Sequence, residues 1–191
     1  MSGAAERPLR ADAARNRARL LEVATEVFTS RGAGVPTEEI ARAAGVGVGT
    51  LFRHFPTKEA LLEAVVVRRL ETIAAQTARL AAETAPAEAF FACFRLVVEQ
   101  SAGKTEFAQA LAAAGVDVHA SLQAPSMEIQ GRLAQLLAGA QQAGAVRQEL
   151  GLPEFIALLA GTSRAMEQLE EDDPAPRERI FSVVFDGLRP R

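Results

Sequence analysis

A group of basic and aromatic side chains stands at the centre of one stretch of this sequence, AAGVGVGTLFRHFPTKEALLEAV, residues 43–65. Arg53, His54 and Lys58 can each carry a positive charge, and small residues come directly before them. Cationic side chains hold phosphate oxygens, and small residues let a backbone approach a bulky partner closely. The chemistry offered by this pattern is therefore the binding of a phosphate-rich partner.

Two short helices joined by a turn are predicted to position these side chains. Thr37 is predicted to cap the first helix, and Gly45 stops it by supplying a left-handed residue. The second helix covers residues 48–54. Such an arrangement is a helix-turn-helix, whose second helix enters the major groove of DNA by its N-terminal end. The residues predicted to face outward from it are Val48, Gly49, Phe52 and Arg53, with Thr50 near its start.

The rest of the chain is predicted to be helical as well. Of its 191 residues 49% are apolar, Trp and Tyr are absent, and alanine and leucine dominate. Apolar residues recur at helical spacing between glycine and proline breakers. We predict an all-α fold of nine helices. Asp12 caps the first and Thr57 the fourth, which runs to about residue 82, and the last five lie near residues 87–101, 105–114, 126–143, 153–170 and 176–188.

The composition also restricts the location and the partners of the protein. No apolar run approaches the ~20 residues of a membrane span, and no secretory signal pattern opens the chain, so no membrane partner is expected. A single cysteine, Cys93, excludes an internal disulfide and suits the cytoplasm. Through Ala60 the chain has nine Lys and Arg against seven acids, a charge of +2; because the whole chain carries −3, the remainder carries −5. A slightly positive N-terminal part followed by an acidic remainder is the charge distribution expected of a protein that binds a polyanion through its N-terminal part.

At these residues the sequence resembles the TetR family of transcriptional regulators. The segment TEEIARAAGVGVGTLFRHFPTKEAL is similar to the family's helix-turn-helix and the start of its fourth helix, and RNRARLLEVATEVFTSRG is similar to its first helix. The similarity is dense over about residues 12–66. It implies a three-helix DNA-binding head, residues 1–60 with the helix-turn-helix at about 37–55, and a ligand-binding and dimerisation body, residues 61–191.

The resemblance implies DNA contacts by position. Thr37 corresponds to a phosphate contact at the start of the second helix, and the outward-facing Arg53 is expected to reach a phosphate more readily than a guanine. The expected groove-facing set is Gly47, Val48, Gly49 and Thr50, and the expected backbone contacts are Phe52, His54 and Lys58.

Two of these residues depart from the family pattern. Tyr commonly stands where this chain has Phe52, so a phenolic hydrogen bond to phosphate is absent, and Ser is common where it has Gly47. The groove-facing end offers no Arg, Asn or Gln for bidentate contacts to bases. DNA shape is therefore expected to carry part of the specificity.

The resemblance also implies a ligand pocket among the fourth to seventh helices and pairing of the last two helices with a second chain. Aromatic and flexible apolar residues are candidates for the pocket, although such residues form a core more often. The candidates are Phe90, Phe94, Phe107, Leu111, Met127 and Met166. Apolar residues of the last two helices exceed the need of a small body, although some could simply cover the core, and they are assigned to a homodimer interface: Phe155, Leu158, Leu159, Phe181, Val184, Phe185 and Leu188.

Several polar residues keep a second interpretation. His54 could be a plain surface histidine, and the arginines of the first helix could either be solvated or reach DNA: Arg15, Arg17 and Arg19. Arg95 and Arg164 could orient an acidic ligand or form ion pairs. A redox role for Cys93 is disfavoured because nothing near it in the sequence would lower its pKa.

Enzymatic function is the first rival class. Beside His54 the only histidine is His119, and the sequence has no phosphate-binding glycine loop before a lysine, no paired metal-ligand spacing and no nucleophilic serine elbow. We therefore expect no catalysis, no cofactor and no metal. A second rival is a non-enzymatic helical scaffold whose charged head binds another protein. The sequence as a whole favours a cytoplasmic, homodimeric, ligand-responsive transcriptional regulator, a repressor that binds operator DNA and releases it with a small apolar or amphipathic effector.

Overall fold

The computed structural model of the chain describes residues 6–101, 107, 110–112, 119–169 and 173–190. Every regular element among these residues is an α-helix, which confirms the predicted all-α class. Within them we number nine helices: α1 (Glu6–Arg31), α2 (Thr37–Ala43), α3 (Val48–His54), α4 (Lys58–Glu83), α5 (Pro86–Gln100), α6 (of which residues 107 and 110–112 are described), α7 (His119–Gln142), α8 (Leu152–Met166) and α9 (Pro174–Leu188).

The chain divides into two compact units. The head unit contains α1 to α3, α4 up to Arg69, α6 and the first residues of α7; the body unit contains the remainder of α4, α5, most of α7, α8 and α9. These units differ from the predicted ranges 1–60 and 61–191, because α4 belongs to both and α6 packs with the head.

The head core is formed by apolar side chains that α1 to α4 and α6 bury together. Leu20 and Phe28 of α1, Ile40 of α2 and Leu51 of α3 are almost inaccessible to solvent. Phe107 of α6 joins them, with its ring centroid 6.3 Å from that of Phe28 in an edge-on arrangement. Burying each of these large side chains stabilises the folded state by about 1.5–3 kcal/mol. Their packing also fixes the angle between the short helices.

The body core is built around phenylalanines from three helices. Phe90 of α5 stacks on Phe155 of α8 at 4.8 Å between ring centroids. Phe94 of α5 meets Phe185 of α9 edge-on at 5.5 Å, and Phe185 lies 5.7 Å from Phe181. Each aromatic pair of this geometry stabilises the fold by about 0.5–1.5 kcal/mol beyond the contribution of its buried area. These rings therefore bind α5, α8 and α9 to one another.

Two helices begin earlier than the sequence predicted. α1 starts at Glu6, so the predicted cap at Asp12 is wrong. Pro8 falls in its first turn, where the missing N–H costs nothing. α7 starts at His119, whereas the sequence predicted a start near residue 126, and it contains Pro125. Proline removes one backbone hydrogen bond, but the helix continues on both sides because its later leucines are packed in the body core.

Candidate nucleic-acid interface

The turn between α2 and α3 is closed by backbone hydrogen bonds that require a glycine. Gly45 has φ +70°, the left-handed region, as the sequence predicted. Its N–H donates to the carbonyl of Arg42 (3.0 Å), and the Val46 N–H donates to the carbonyl of Ala41 (2.9 Å). This pair of bonds is a Schellman motif, which ends α2 and reverses the chain into α3.

Helix α3 is held to the head by one buried face and presents the opposite face outward. Leu51 is completely buried, and Phe55, directly after the helix, is also buried. Val48 and Phe52 are each 39% exposed, an unusual setting for large apolar side chains. Gly47, Gly49 and Arg53 are exposed as well, and Thr50 is partly exposed. The structure thus brings the predicted groove-facing residues onto one open surface.

At the two glycines that begin α3, Gly47 and Gly49, neither the backbone angle nor the packing excludes a side chain. Neither Gly47 nor Gly49 has a positive φ, and a Cβ added at either would meet no heavy atom within 4 Å. Gly47 is the N-cap residue of α3, a position where glycine is tolerated, but Gly49 lies inside the helix, where glycine is destabilising by roughly 0.5–1 kcal/mol relative to alanine. The missing side chain at Gly49 therefore lowers stability, which fits a surface that approaches another molecule closely.

The start of α2 differs from the prediction. Its N-cap position is taken by Pro36, which makes no side-chain hydrogen bond, so the predicted cap at Thr37 is wrong. Thr37 is the first helical residue and only 7% exposed, and its hydroxyl lies 3.4 Å from the carboxylate of Glu38. Its placement leaves little hydroxyl surface for a phosphate, while the positive end of the α2 dipole remains beside it.

The start of α4 agrees with the prediction and lies next in sequence to the end of α3. The Thr57 hydroxyl accepts a hydrogen bond from the Ala60 N–H at 3.1 Å, which confirms Thr57 as the cap of α4. Lys58, the first residue of α4, and His54, the last residue of α3, are both partly exposed. Cations at this corner can contact phosphates beside the groove that α3 would enter.

Arginines of α1 pack against the helix-turn-helix, a contact that was not predicted from the sequence. The Arg17 guanidinium lies over the ring of Phe55, 4.9 Å from its centroid. A terminal nitrogen of Arg19 lies 3.7 Å from the position that a Cβ on Gly45 would take. Both arginines remain exposed residues, so their charges stay near the open surface of the head.

The predicted pocket residues are not gathered into one cavity. Phe107 and Leu111 are buried in the head core, whereas Phe90, Phe94 and Met166 are buried in the body core. The sixth predicted residue, Met127, lies on the surface of α7 and is 65% exposed. Five of the six are thus core residues, which is the more common position for aromatic and methionine side chains.

The predicted dimer residues divide into a buried and an open group. Four are packed in the core of the single chain, in one buried cluster with residues of α5 and α7: Phe155, Leu159, Phe181 and Leu188. Phe185 and Val184 are partly buried against the same core, and Leu158 is 38% exposed. Val183, which was not among the predicted interface residues, is 72% exposed and lies beside Ile180 and Val184 on an apolar strip of α9.

The remaining candidates take structural positions. Arg95 is paired with Glu178, with nitrogen–oxygen distances of 2.5 and 2.9 Å, and Arg164 with Glu167 at 2.6 Å. Cys93 is buried, and burial raises the pKa of its thiol to about 12, which suppresses the reactive thiolate. Within the described ranges no three metal-ligating side chains cluster together, and no helix there is long and apolar enough to cross a bilayer.

Two family models match the chain. The model for bacterial regulatory proteins of the tetR family matches residues 20–65, and the model for the C-terminal domain of SbtR-like transcriptional regulators matches residues 85–190. The first match covers the helix-turn-helix, and the second covers most of the body unit.

Solved structures and a curated relative match as well. A TetR transcription regulatory protein from Mycobacterium vanbaalenii is 42% identical, over 96% of this chain and 100% of that one, with a TM-score of 0.76. A TetR transcriptional regulator from Streptomyces coelicolor is 35% identical, over 91% and 98% of the two chains, with a TM-score of 0.75. An HTH-type transcriptional regulator of Staphylococcus aureus is 39% identical over 69 residues, 36% of this chain and 37% of that relative's length.

Proposed function

Because the chain belongs to the TetR family of transcriptional regulators, with a helix-turn-helix DNA-binding domain, we propose that it is a non-enzymatic, cytoplasmic repressor. It binds operator DNA as a homodimer and leaves it when a small apolar or amphipathic effector binds. Residues 1–60 carry DNA binding, and residues 61–191 carry effector binding and dimerisation.

The observation that carries the DNA-binding role is the bare, outward-facing start of α3. Gly47 and Gly49, where an added Cβ would meet no heavy atom of the protein within 4 Å, stand beside exposed Val48 and partly exposed Thr50. Without Cβ atoms at Gly47 and Gly49, the backbone can approach base edges, and the methyl groups of Val48 and Thr50 can touch thymine methyls. Specificity then rests on a few apolar contacts and on DNA shape.

Candidate phosphate contacts surround the outward-facing start of α3. Arg53, His54 and Lys58 are all exposed or partly exposed, and none of the three forms an ion pair with another described residue. Phe52 adds an apolar contact to the sugar-phosphate backbone, and Thr37 contributes through the N-terminal end of α2. Each cation that neutralises one phosphate releases condensed counterions, so binding should weaken steeply with salt.

Dimerisation uses the open residues of the last two helices. Leu158 of α8 and the α9 strip of Ile180, Val183 and Val184 leave apolar surface in contact with water. A two-fold axis along this surface would cover it and place two α3 helices for successive major grooves, roughly 34–36 Å or somewhat farther apart.

Helix α4 is the mechanical link in this proposal. It is one continuous helix whose first part belongs to the head unit and whose later part belongs to the body unit. An effector that tilts it would change the spacing of the two heads. A coupling of 1–3 kcal/mol would lower operator affinity about 5- to 150-fold, and linkage requires DNA to weaken effector binding by the same factor.

The test is selection of fragments from the organism's own genome on the purified protein, followed by footprinting of one fragment. A protected two-fold site and an affinity that falls steeply with salt are expected. If no fragment is enriched, and retention on any duplex is absent at low salt, the DNA-binding proposal is wrong. The protein-binding scaffold would then be the better interpretation.

A further inference from the structure

A cavity of about 410 Å³ lies within the body unit among the C-terminal ends of α5 and α8 and the start of α9. Its apolar wall consists of Val98, Met166, Leu169 and Phe181. The volume falls in the range of about 300–1,000 Å³ that is usual for small-molecule sites. Of the residues predicted to line a pocket, only Met166 borders it.

The three glutamates of the cavity wall lie beside two arginines, and one of these arginines serves two of the glutamates. Glu178 accepts two hydrogen bonds from Arg95, at 2.5 and 2.9 Å, and these lower the pKa of its carboxyl group. Glu99 lies 3.8 Å from the same guanidinium, and Glu167 is paired with Arg164 at 2.6 Å. The Arg95 guanidinium also covers the ring of Phe181, 4.1 Å from its centroid. A cationic ligand would have to compete with Arg95 for both the carboxylates and the ring.

Arg177 is the one charged residue of the wall with no partner in the described part of the chain. Its Nε is out of contact with solvent and has no hydrogen-bond acceptor, and no ion pair to its guanidinium is found there. Arg177 is therefore the cation of the wall that remains able to pair with an acceptor supplied by a ligand, and a planar guanidinium suits a carboxylate in particular.

We propose that this cavity binds a small organic carboxylate with an apolar body, whose carboxylate pairs with Arg177 and whose body lies against Met166, Leu169 and Val98. At roughly 30 Å³ for each non-hydrogen atom, as in liquid water, the space holds roughly ten to fourteen such atoms. The assignment of this carboxylate as the effector rests on the proposed function. Binding itself requires only the body unit.

The experiment is calorimetric titration of the DNA-free protein with octanoate, and with octanol and octylammonium as neutral and cationic ligands of equal chain length. The variants are Arg177→Gln, Arg177→Lys and the control Arg79→Gln, which removes an exposed arginine whose partner is Glu83 on the same helix. We expect saturable binding of octanoate, weakened tenfold or more by Arg177→Gln, partly restored by Arg177→Lys and unchanged by Arg79→Gln. Circular dichroism melting verifies that each variant is folded.

Three outcomes would overturn the site: no saturable octanoate binding, equal binding by Arg177→Gln and Arg79→Gln, or stronger binding of octylammonium than of octanoate. A parallel measurement of affinity for genomic DNA separates the two proposals. If octanoate does not bind but DNA does, the site is wrong and the regulator proposal stands. If octanoate binds through Arg177 and no DNA fragment is retained, the site stands and the regulator proposal is wrong.

Discussion

Replacing Gly49 by alanine should make the protein more stable and its DNA binding weaker. Gly49 is the second residue of α3, its φ is not positive, and an added Cβ would meet no heavy atom within 4 Å. At such a position Gly→Ala stabilises a fold by about 0.4–1 kcal/mol, because the unfolded chain loses conformational freedom. For a chain of this length the melting temperature should rise by about 1–4 °C.

The same methyl group should obstruct the complex with DNA. If the α3 backbone lies against base edges, the methyl must occupy space that the groove fills, and the head must move outward from its phosphate contacts. We expect a loss of tenfold or more in operator affinity, about 1.4 kcal/mol or more. Fluorescence anisotropy with a footprinted operator fragment measures the loss, and denaturation followed by circular dichroism measures the gain in stability.

Gly131→Ala is the matched control. Gly131 is exposed on α7, and a Cβ there also meets no heavy atom within 4 Å. It should stabilise the protein by a similar amount and leave operator affinity unchanged. Wild-type operator affinity in a stabilised Gly49→Ala protein would refute the close approach of the α3 backbone to DNA. A loss of affinity in Gly131→Ala as well would show that stability, not the groove contact, controls binding.

Three further predictions concern other parts of the molecule. Lys58→Ala and His54→Ala should weaken binding to all DNA sequences alike, and Lys58→Ala should lower the salt slope by about one; a changed preference at a single base pair would contradict the phosphate role. Leu158→Glu combined with Val183→Glu should give folded monomers with greatly weakened operator affinity, because these exposed side chains leave the core intact; a dimer by light scattering would exclude this interface. Cys93, whose thiol pKa is raised to about 12, should react at pH 8 roughly a thousandfold more slowly in the folded protein than after unfolding, measured with a thiol reagent; equal rates would contradict its burial.

Local signals account for the parts of the fold that the sequence predicted well. Gly45, Thr57 and the apolar spacing of α3 act through bonds and contacts a few residues away, so their effect can be deduced without knowing the rest of the chain. The all-α class and the helix-turn-helix follow from such signals. Even so, the caps at Asp12 and Thr37 were wrong, since helix ends also depend on which neighbouring residues continue the helix.

Reasoning from the sequence predicted correctly that the chain is helical, where its helix-turn-helix lies and which residues of α3 face outward. It could not distinguish the apolar residues of the core from those of the surface, because that distinction depends on the packing of distant helices. Phe107 and Leu111 pack in the head, Phe155 and Phe181 inside the body, and Val183 in the open, although all five are apolar residues at helical spacing. The physical reason is that periodicity shows which face of a helix is apolar but not which neighbour covers that face. Likewise, the sequence does not show which arginines will form ion pairs in the folded protein. Arg95 is paired and Arg177 is not, because folding places the Glu178 carboxylate beside Arg95 alone.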